Sequence, residues 1–418
     1  MTGVWRLAIA CAATVAVIAL GLLAARPERK AAASVPAVGP RGPVGPAVPL
    51  EAAQQQRLAT RRSVEGHTAA DIQAACERAS RDGVRVVLLP AGQYVFETTV
   101  RVPGGLTLLG EGAGTILRAR DKTTHLFAVA GDEVRFTRLR LERADTNRNE
   151  DNDTHGIVVG EQKNVRIDHC ELLGFSFATR FSGEGSAQVD HCSIHHNLRD
   201  GLGYGVAVYS GAYVLVTDNR FSQNRHSLAS NGALDWSSGE RLGKYTHIAG
   251  ARKTHWEFVH NRVGSNDLST YEPCAVDTHP GMDGTFVVES NIFENPRHGV
   301  GIRDGSGIIR GNVFRNLRTA TDFRSTVAIS ISYDKHNGIP VEGAMPHDIE
   351  VTENTFVGPF ESGLAPASGE HKVSAKYQVG EAENITIDGK LLPETRQDRG
   401  APPPVPRLHE MPEDGTLR

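Results

Sequence analysis

A chain of 418 residues and 45.0 kDa is longer than one compact core usually needs, so it is either two domains or one elongated repeat fold. A hydrophobic fraction of 39% beside 22% charged residues excludes a multi-pass membrane protein and a wholly disordered chain. With 44 glycines and only 6% aromatics, a turn-rich β architecture is favoured over a helical bundle, and a formal net charge of −4 argues against nonspecific nucleic-acid binding.

Arg6 precedes an uncharged run from Leu7 to Ala25 that ends at Arg26. A basic start followed by an apolar stretch reads as a secretory signal or as an uncleaved membrane anchor, so residues 1–30 are an address. The body is then expected to be secreted, periplasmic or tethered at the cell envelope. Residues 31–62, with Pro36, Pro40, Pro43, Pro46 and Pro49 among Gly and Ala, read as a linker; residues 396–418, with Pro402, Pro403 and Pro404, read as a flexible tail. The domain lies between them, over 63–395. Beyond the leader, Cys76, Cys170, Cys192 and Cys274 match no metal or disulfide spacing.

Residues 68–82 have helical periodicity: Ile72, Ala75, Cys76 and Ala79 share a face, Asp71 sits near the start and Gly83 follows the end. Short strands follow at Val84–Leu89, Tyr94–Phe96, Thr99–Val102 and Leu106–Leu109, separated by Gly and Pro. From Val134 one template recurs: two alternating apolar residues, a Cys or Asn (Leu in the first copy) three positions on, then a further apolar residue. It reads Val134, Phe136, Leu139, Leu141; Val165, Ile167, Cys170, Leu172; Ala187, Val189, Cys192, Ile194; Val214, Val216, Asn219, Phe221. It continues through Asn261, Asn291, Asn312 and Asn354, and Ile385, Ile387 and Leu392 close the series. A strand pair this short cannot bury its own apolar face, but stacked parallel copies can. The expected fold is an all-β right-handed parallel β-helix, a solenoid with an N-terminal capping helix. Asn at one place in successive coils then forms a hydrogen-bonded ladder, with Cys170 and Cys192 as buried thiols in the same column.

The stretch from Asp71-Ile-Gln-Ala-Ala75 through Leu89-Pro-Ala-Gly-Gln-Tyr94 to Val102-Pro-Gly-Gly-Leu-Thr-Leu-Leu-Gly-Glu-Gly112 resembles the cap and first coils of the pectate-lyase-like superfamily, and the resemblance runs over roughly 67–392. That superfamily includes pectate and alginate lyases, uronate C5-epimerases, polygalacturonases, tailspikes and noncatalytic surface proteins, so the resemblance implies a fold more closely than a reaction. Asp277-Thr-His279 resembles the Asp-Pro-His signature of alginate C5-epimerases, with Thr278 in place of Pro and Cys274 where those enzymes carry an aromatic residue.

Period-two alternation puts Ile157/Val159, Thr179/Phe181, Val206/Val208, Val276/Thr278 and Val300/Ile302 inward. The outer face then carries Arg180, Ala207, Tyr209, Asp277, His279, Gly301 and Arg303. Asp277 and His279 share that face, where the carboxylate orients an imidazole base. Arg225-His226 precedes Asn231, Asp235 and Trp236, which open a long loop of the kind that walls a cleft. Arg225 is the candidate for neutralising a sugar carboxylate and His226 for proton transfer, although alternation from Leu228 points His226 into the core. Arg180, Tyr209, Arg303, Asp235 and Trp236 are candidate substrate-binding residues. No metal ligand set is read; the run Asp145, Asn147, Asn149, Asp151, Asp153 admits calcium or simply a hydrated acidic loop.

The expected activity is C5 proton abstraction on an acidic polysaccharide, as lyase or epimerase. A glycoside hydrolase is the alternative, needing a second carboxylate from Asp235, Asp304 or Asp200 roughly 6.5–9.5 Å from Asp277 if inverting. A noncatalytic glycan-binding envelope protein is the third reading.

Overall fold

The computed structural model describes residues 60–143, 151–264, 274–295, 298–315, 327–357, 372–373, 377–387 and 390–391. The leader, the Pro-rich linker through residue 59, the tail and most of the acidic loop (144–150) lie outside them.

Among the described residues the chain winds into three long parallel sheets, in which every third strand in sequence is a neighbour in space. This is a parallel β-helix. The first helix, α1 (Ala69–Arg81), begins at a capping box: the Thr68 hydroxyl accepts from the Asp71 amide while the Asp71 carboxylate accepts from the Thr68 amide. Its apolar face, Ala69, Ile72, Ala75, Cys76 and Ala79, is part of the same core as the coils and covers their N-terminal end. The expected strands appear within a few residues of the sequence reading, as Val86–Leu89, Gly92–Phe96, Val100–Val102 and Thr107–Gly110.

The recurrent template maps onto a corner. The residue before each ladder position is left-handed: Arg138, His169, His191, Asp218, His260, Ser290 and Glu353 all have φ between 50° and 58°. At that corner Asn219, Asn261, Asn291, Asn312 and Asn354 form a continuous chain. Asn261 Nδ2 donates to Val216 O (2.9 Å) and Asn291 Oδ1 (3.2 Å), and Asn261 Oδ1 accepts from the Asn219 amide (2.9 Å). The ladder satisfies turn amides that the coil would otherwise bury unpaired. Cys170 and Cys192 occupy the column as buried thiols, and the four described cysteines form no disulfide among themselves. Aromatic rings stack beside it, Phe293 on Phe314 at 4.8 Å and Phe314 on Phe356 at 5.4 Å.

Six strands of one sheet position the chemistry: β1 (His155–Val159), β2 (Phe177–Phe181), β3 (Tyr204–Val208), β4 (His226–Ser230), β5 (Cys274–Thr278) and β6 (His298–Ile302). Their register aligns Val158, Arg180, Ala207, Ala229, Asp277 and Gly301 in one column, and Ile157, Thr179, Val206, Leu228, Val276 and Val300 in the inward column beside it. The outward assignment of Arg180 and Asp277 therefore holds.

Strict alternation fails at the start of each of these strands. Gly156, Ala178, Gly205, Ser227, Ala275 and Gly299 precede the inward column, and Ala178 and Ala275 belong to the main core. A Cβ on Gly205 would lie 3.0 Å from Ile194 and 3.2 Å from Phe221. Two successive positions thus face inward at the bend, and only small side chains fit the first. The residue before it is thrown outward. His226, placed in the core by alternation, stands on the outer face with Tyr204, and Phe177 and Tyr204 form a separate cluster with Ala207 and Ala229.

Candidate active site

The outer face of this sheet holds a cavity of about 360 Å³ whose lining includes Arg180, Tyr204, Tyr209, Arg225, His279 and Arg303. Its base follows from the small residues at Ala207 and Ala229, which leave room for the rings of Tyr204 and Tyr209 above them. Trp236, half exposed, closes one side with Lys335 and His336, its ring 5.0 Å from that of His336.

Asp277 is the electrostatic centre. Its carboxylate is buried at 1% exposure, yet His279 Nε2 lies 2.9 Å from Oδ2 and Arg303 holds it through two nitrogens, with Nε 3.2 Å from Oδ1. Burial alone would raise its pKa; Arg303, then His279, outweigh that and hold it well below the usual carboxylate range. Burial also pushes His279 below an ordinary histidine, and Asp277 offsets this only in part. His279 is therefore neutral near pH 7, with its Nε2 proton directed at Asp277 and a lone pair on Nδ1.

His226 shares the dyad's surroundings. Its Nδ1 lies 2.6 Å from Cys274 O, which fixes the proton on Nδ1, and Nε2 stands 3.7 Å from Asp277 Oδ2 with no hydrogen bond. Burial lowers its pKa to about 3, so it is neutral and a poor proton donor. Ligand atoms of His226, Asp277 and His279 lie within 4.8 Å of one another, a spacing that would admit a metal ion. Arg303 already supplies a cation to that carboxylate, and the arrangement fits a hydrogen-bonded acid–base group.

Arg225 stacks over Tyr204 at 5.6 Å and donates to Tyr204 Oη (3.0 Å) and Gly201 O (3.2 Å). Arg180 lies over Phe177 at 5.8 Å, its Nε buried without an acceptor. Neither guanidinium has a carboxylate partner among the described residues. Burial raises the Tyr204 hydroxyl above its ordinary value, with Arg225 acting in the opposite sense, and burial raises Tyr209 much further.

Of the sequence candidates, Asp277, His279, His226, Arg225, Arg180, Tyr209, Arg303 and Trp236 come together. Asp235 does not: Oδ1 accepts from the Ser237 amide (3.1 Å) and Oδ2 from Arg241, so it is tied to the start of helix α2 (Ser237–Leu242) and is not part of the cavity lining. Arg303 is taken by Asp277 and is no free clamp for a sugar carboxylate. Asp304 is buried, its oxygens accepting from the amides of Gly281 (2.7 Å), Gly305 (2.8 Å) and Met345 (3.0 Å), so it holds a turn. Tyr204, Lys335 and His336 escape a reading by alternation. The signal for Tyr204 is the glycine after it, repeated as Gly156 and Gly299 at the same place in other coils.

A family model described as the right-handed β-helix region matches residues 142–376, more than half of the chain. The chain belongs to this right-handed β-helix family. Solved structures agree on the fold of this β-helix protein alone, at identities too low to speak to chemistry. A hyperthermoactive exopolygalacturonase from Thermotoga maritima matches at 11% identity over 82% of this chain and 97% of that one, with a TM-score of 0.50. The catalytic domain of a GH87 α-1,3-glucanase in complex with nigerose matches at 15% identity, over 84% and 60% of the two chains, with a TM-score of 0.48. The Dettilon tailspike protein matches at 12% identity, over 72% and 62%, with a TM-score of 0.47. The β-helix protein thus spans about 60% of the length of the last two. No curated protein matches the sequence.

Proposed function

We propose that this β-helix protein acts on an acidic polysaccharide by removing the C5 proton of a uronate, as a lyase or an epimerase, outside the cytoplasm. The observation that carries the reading is the cavity's charge: among the described residues arginines and a lysine line it and no carboxylate does, Asp277 beneath it is committed to a histidine and an arginine, and the exposed Asp334 lies 3.7 Å from that same Arg303. A uronate carboxylate entering this space meets Arg225, whose free guanidinium edge pairs with it in bidentate fashion and stabilises the enediolate that forms. His279 Nδ1 accepts the C5 proton, and Asp277 stabilises the imidazolium that results, with Arg303 holding Asp277 in place. The electron pair left on C5 moves into the carboxylate. In epimerisation, a lining tyrosine returns a proton to the other face of C5; in elimination, the pair returns to break the C4–O bond and Tyr204, its ring 6.0 Å from that of His279, protonates the leaving oxygen.

A two-carboxylate hydrolase finds less support, because Asp235 and Asp304 are both engaged elsewhere, Asp200 is not part of the cavity lining and Asp277 is paired with Arg303. The deciding experiment is incubation with a panel of uronate polymers, followed by near-ultraviolet absorbance and mass spectrometry of the products. An unsaturated uronate shows elimination, and an unchanged mass with altered stereochemistry shows epimerisation; either is expected to vanish in His279→Gln. New reducing ends without absorbance would overturn the reading in favour of hydrolysis. Tight binding with no product would make the protein a glycan-binding module.

A further inference from the structure

Upstream of the dyad, the outer face carries a second group of cations that the proposed chemistry leaves unused. Arg180 stands three rungs from Asp277 in the same column, by way of Ala207 and Ala229. At the spacing of adjacent strands that is about 14 Å, farther than one sugar ring reaches. Arg180 lies at the cavity's edge with its Nε buried and unbonded, and Arg199 on the neighbouring turn also has a buried Nε without an acceptor. His155 sits one rung above Phe177, 96% buried, with both ring nitrogens free of hydrogen bonds; its ring meets Phe177 edge-on at 4.7 Å. Asp153, well exposed, has its Oδ1 3.7 Å from His155 Nε2, and Arg199 donates through Nη1 to the backbone oxygen of Asp200 (3.1 Å). Burial, together with His125, Arg180 and Arg199, keeps His155 neutral.

Orphaned donors gathered around an aromatic ring are the signature of a site whose acceptor arrives with a ligand. We propose that Arg180 and Arg199, around Phe177 and His155, form a second anion subsite that holds another acidic residue of the same polymer, so that the protein engages a polyuronate through at least two carboxylates. Guanidinium nitrogens supply charged donors to the carboxylate, and the buried Phe177 ring beneath Arg180 supports the guanidinium from below. This inference rests on the acidic-glycan reading of the site and assigns the direction of the chain: the polymer extends from the dyad toward the N-terminal coils.

The test uses oligouronates of two and six residues with the full chain. For the wild type, the hexamer is expected to have a kcat/KM well above that of the dimer, and Arg180→Gln or Arg199→Gln is expected to collapse the ratio by about tenfold through KM, with kcat for the hexamer held. Equal loss on both lengths, or loss in kcat, would overturn the subsite. Calorimetric titration of the hexamer into His279→Gln separates this from the reaction assignment. Binding kept there but weakened about tenfold on adding Arg180→Gln supports the subsite even if no turnover is found. Binding indifferent to both arginines sinks it.

Discussion

Asp277 shows how one side chain is made to serve a neighbour. A carboxylate buried to 1% exposure survives ionised only because Arg303 and His279 surround it. Removing its charge strands Arg303, so Asp277→Asn is expected to lower turnover about 10²-fold or more and to destabilise the fold by about 3 kcal/mol in urea titrations. His279→Gln lacks the base but strands no charge; its turnover falls as far, while its unfolding midpoint stays near wild type. Three histidines give a second expectation. Burial lowers the pKa of His155 and His226 to about 3 and of His336 to about 4, with Asp277 pulling the last two upward in part. The unfolded chain takes up protons on these rings below about pH 6.5, which the folded state refuses, so their contribution is complete above that pH and lost as pH falls toward 4. Asp277, depressed in the fold, acts in the same direction at lower pH. The melting temperature should therefore drop between pH 7 and pH 4, and His226→Gln should flatten part of that slope.

At the scale of elements, the left-handed corner and its asparagine ladder hold the coils in register. Asn261→Ala removes a donor and an acceptor shared by three coils and leaves buried amides unpaired, an expected loss of about 3 kcal/mol. Asn354, at the partly exposed end of the ladder, should cost about half as much by the same chemical denaturation. A different element pair shapes the cavity. The excursion carrying α2 packs on the segment around Pro340: Tyr245 N donates to Pro340 O (2.9 Å), and Leu234, Val341 and Ala344 form a small core of their own. That support presents Trp236, 5.2 Å from Tyr245, as an exposed aromatic face. Trp236→Ala should raise KM for an acidic glycan about tenfold with little change in melting temperature, since the ring is half exposed.

Over the whole molecule, an acidic chain concentrates positive charge in one place. The whole chain carries a formal net charge of −4, yet Arg180, Arg225, Arg303 and Lys335 meet in a single cavity. Affinity for a polyanion should then weaken steeply with salt, and a titration of KM from 0.05 to 0.5 M ionic strength, roughly, reads it directly. A neutral glucan of equal length should show no such slope.

The repeat was legible because a solenoid writes its geometry in one dimension: the alternating apolar pair and the Asn or Cys three residues later recur in each coil, and stacking is the arrangement that buries them. Asp277 and His279 could be placed on one face by period two alone. What the tertiary structure decided was the bend. At Gly205, Ser227 and Ala275 the backbone turns two successive residues inward, a departure that alternation cannot see, and this brings Tyr204 and His226 to the outside. It also decided partners. Arg303 and Asp235 look alike in sequence as free charges beside a cleft, yet one is bound to Asp277 and the other to a helix end. Faces follow from local periodicity and the need to bury apolar surface; which charges remain unpaired depends on distances between coils that are far apart along the chain.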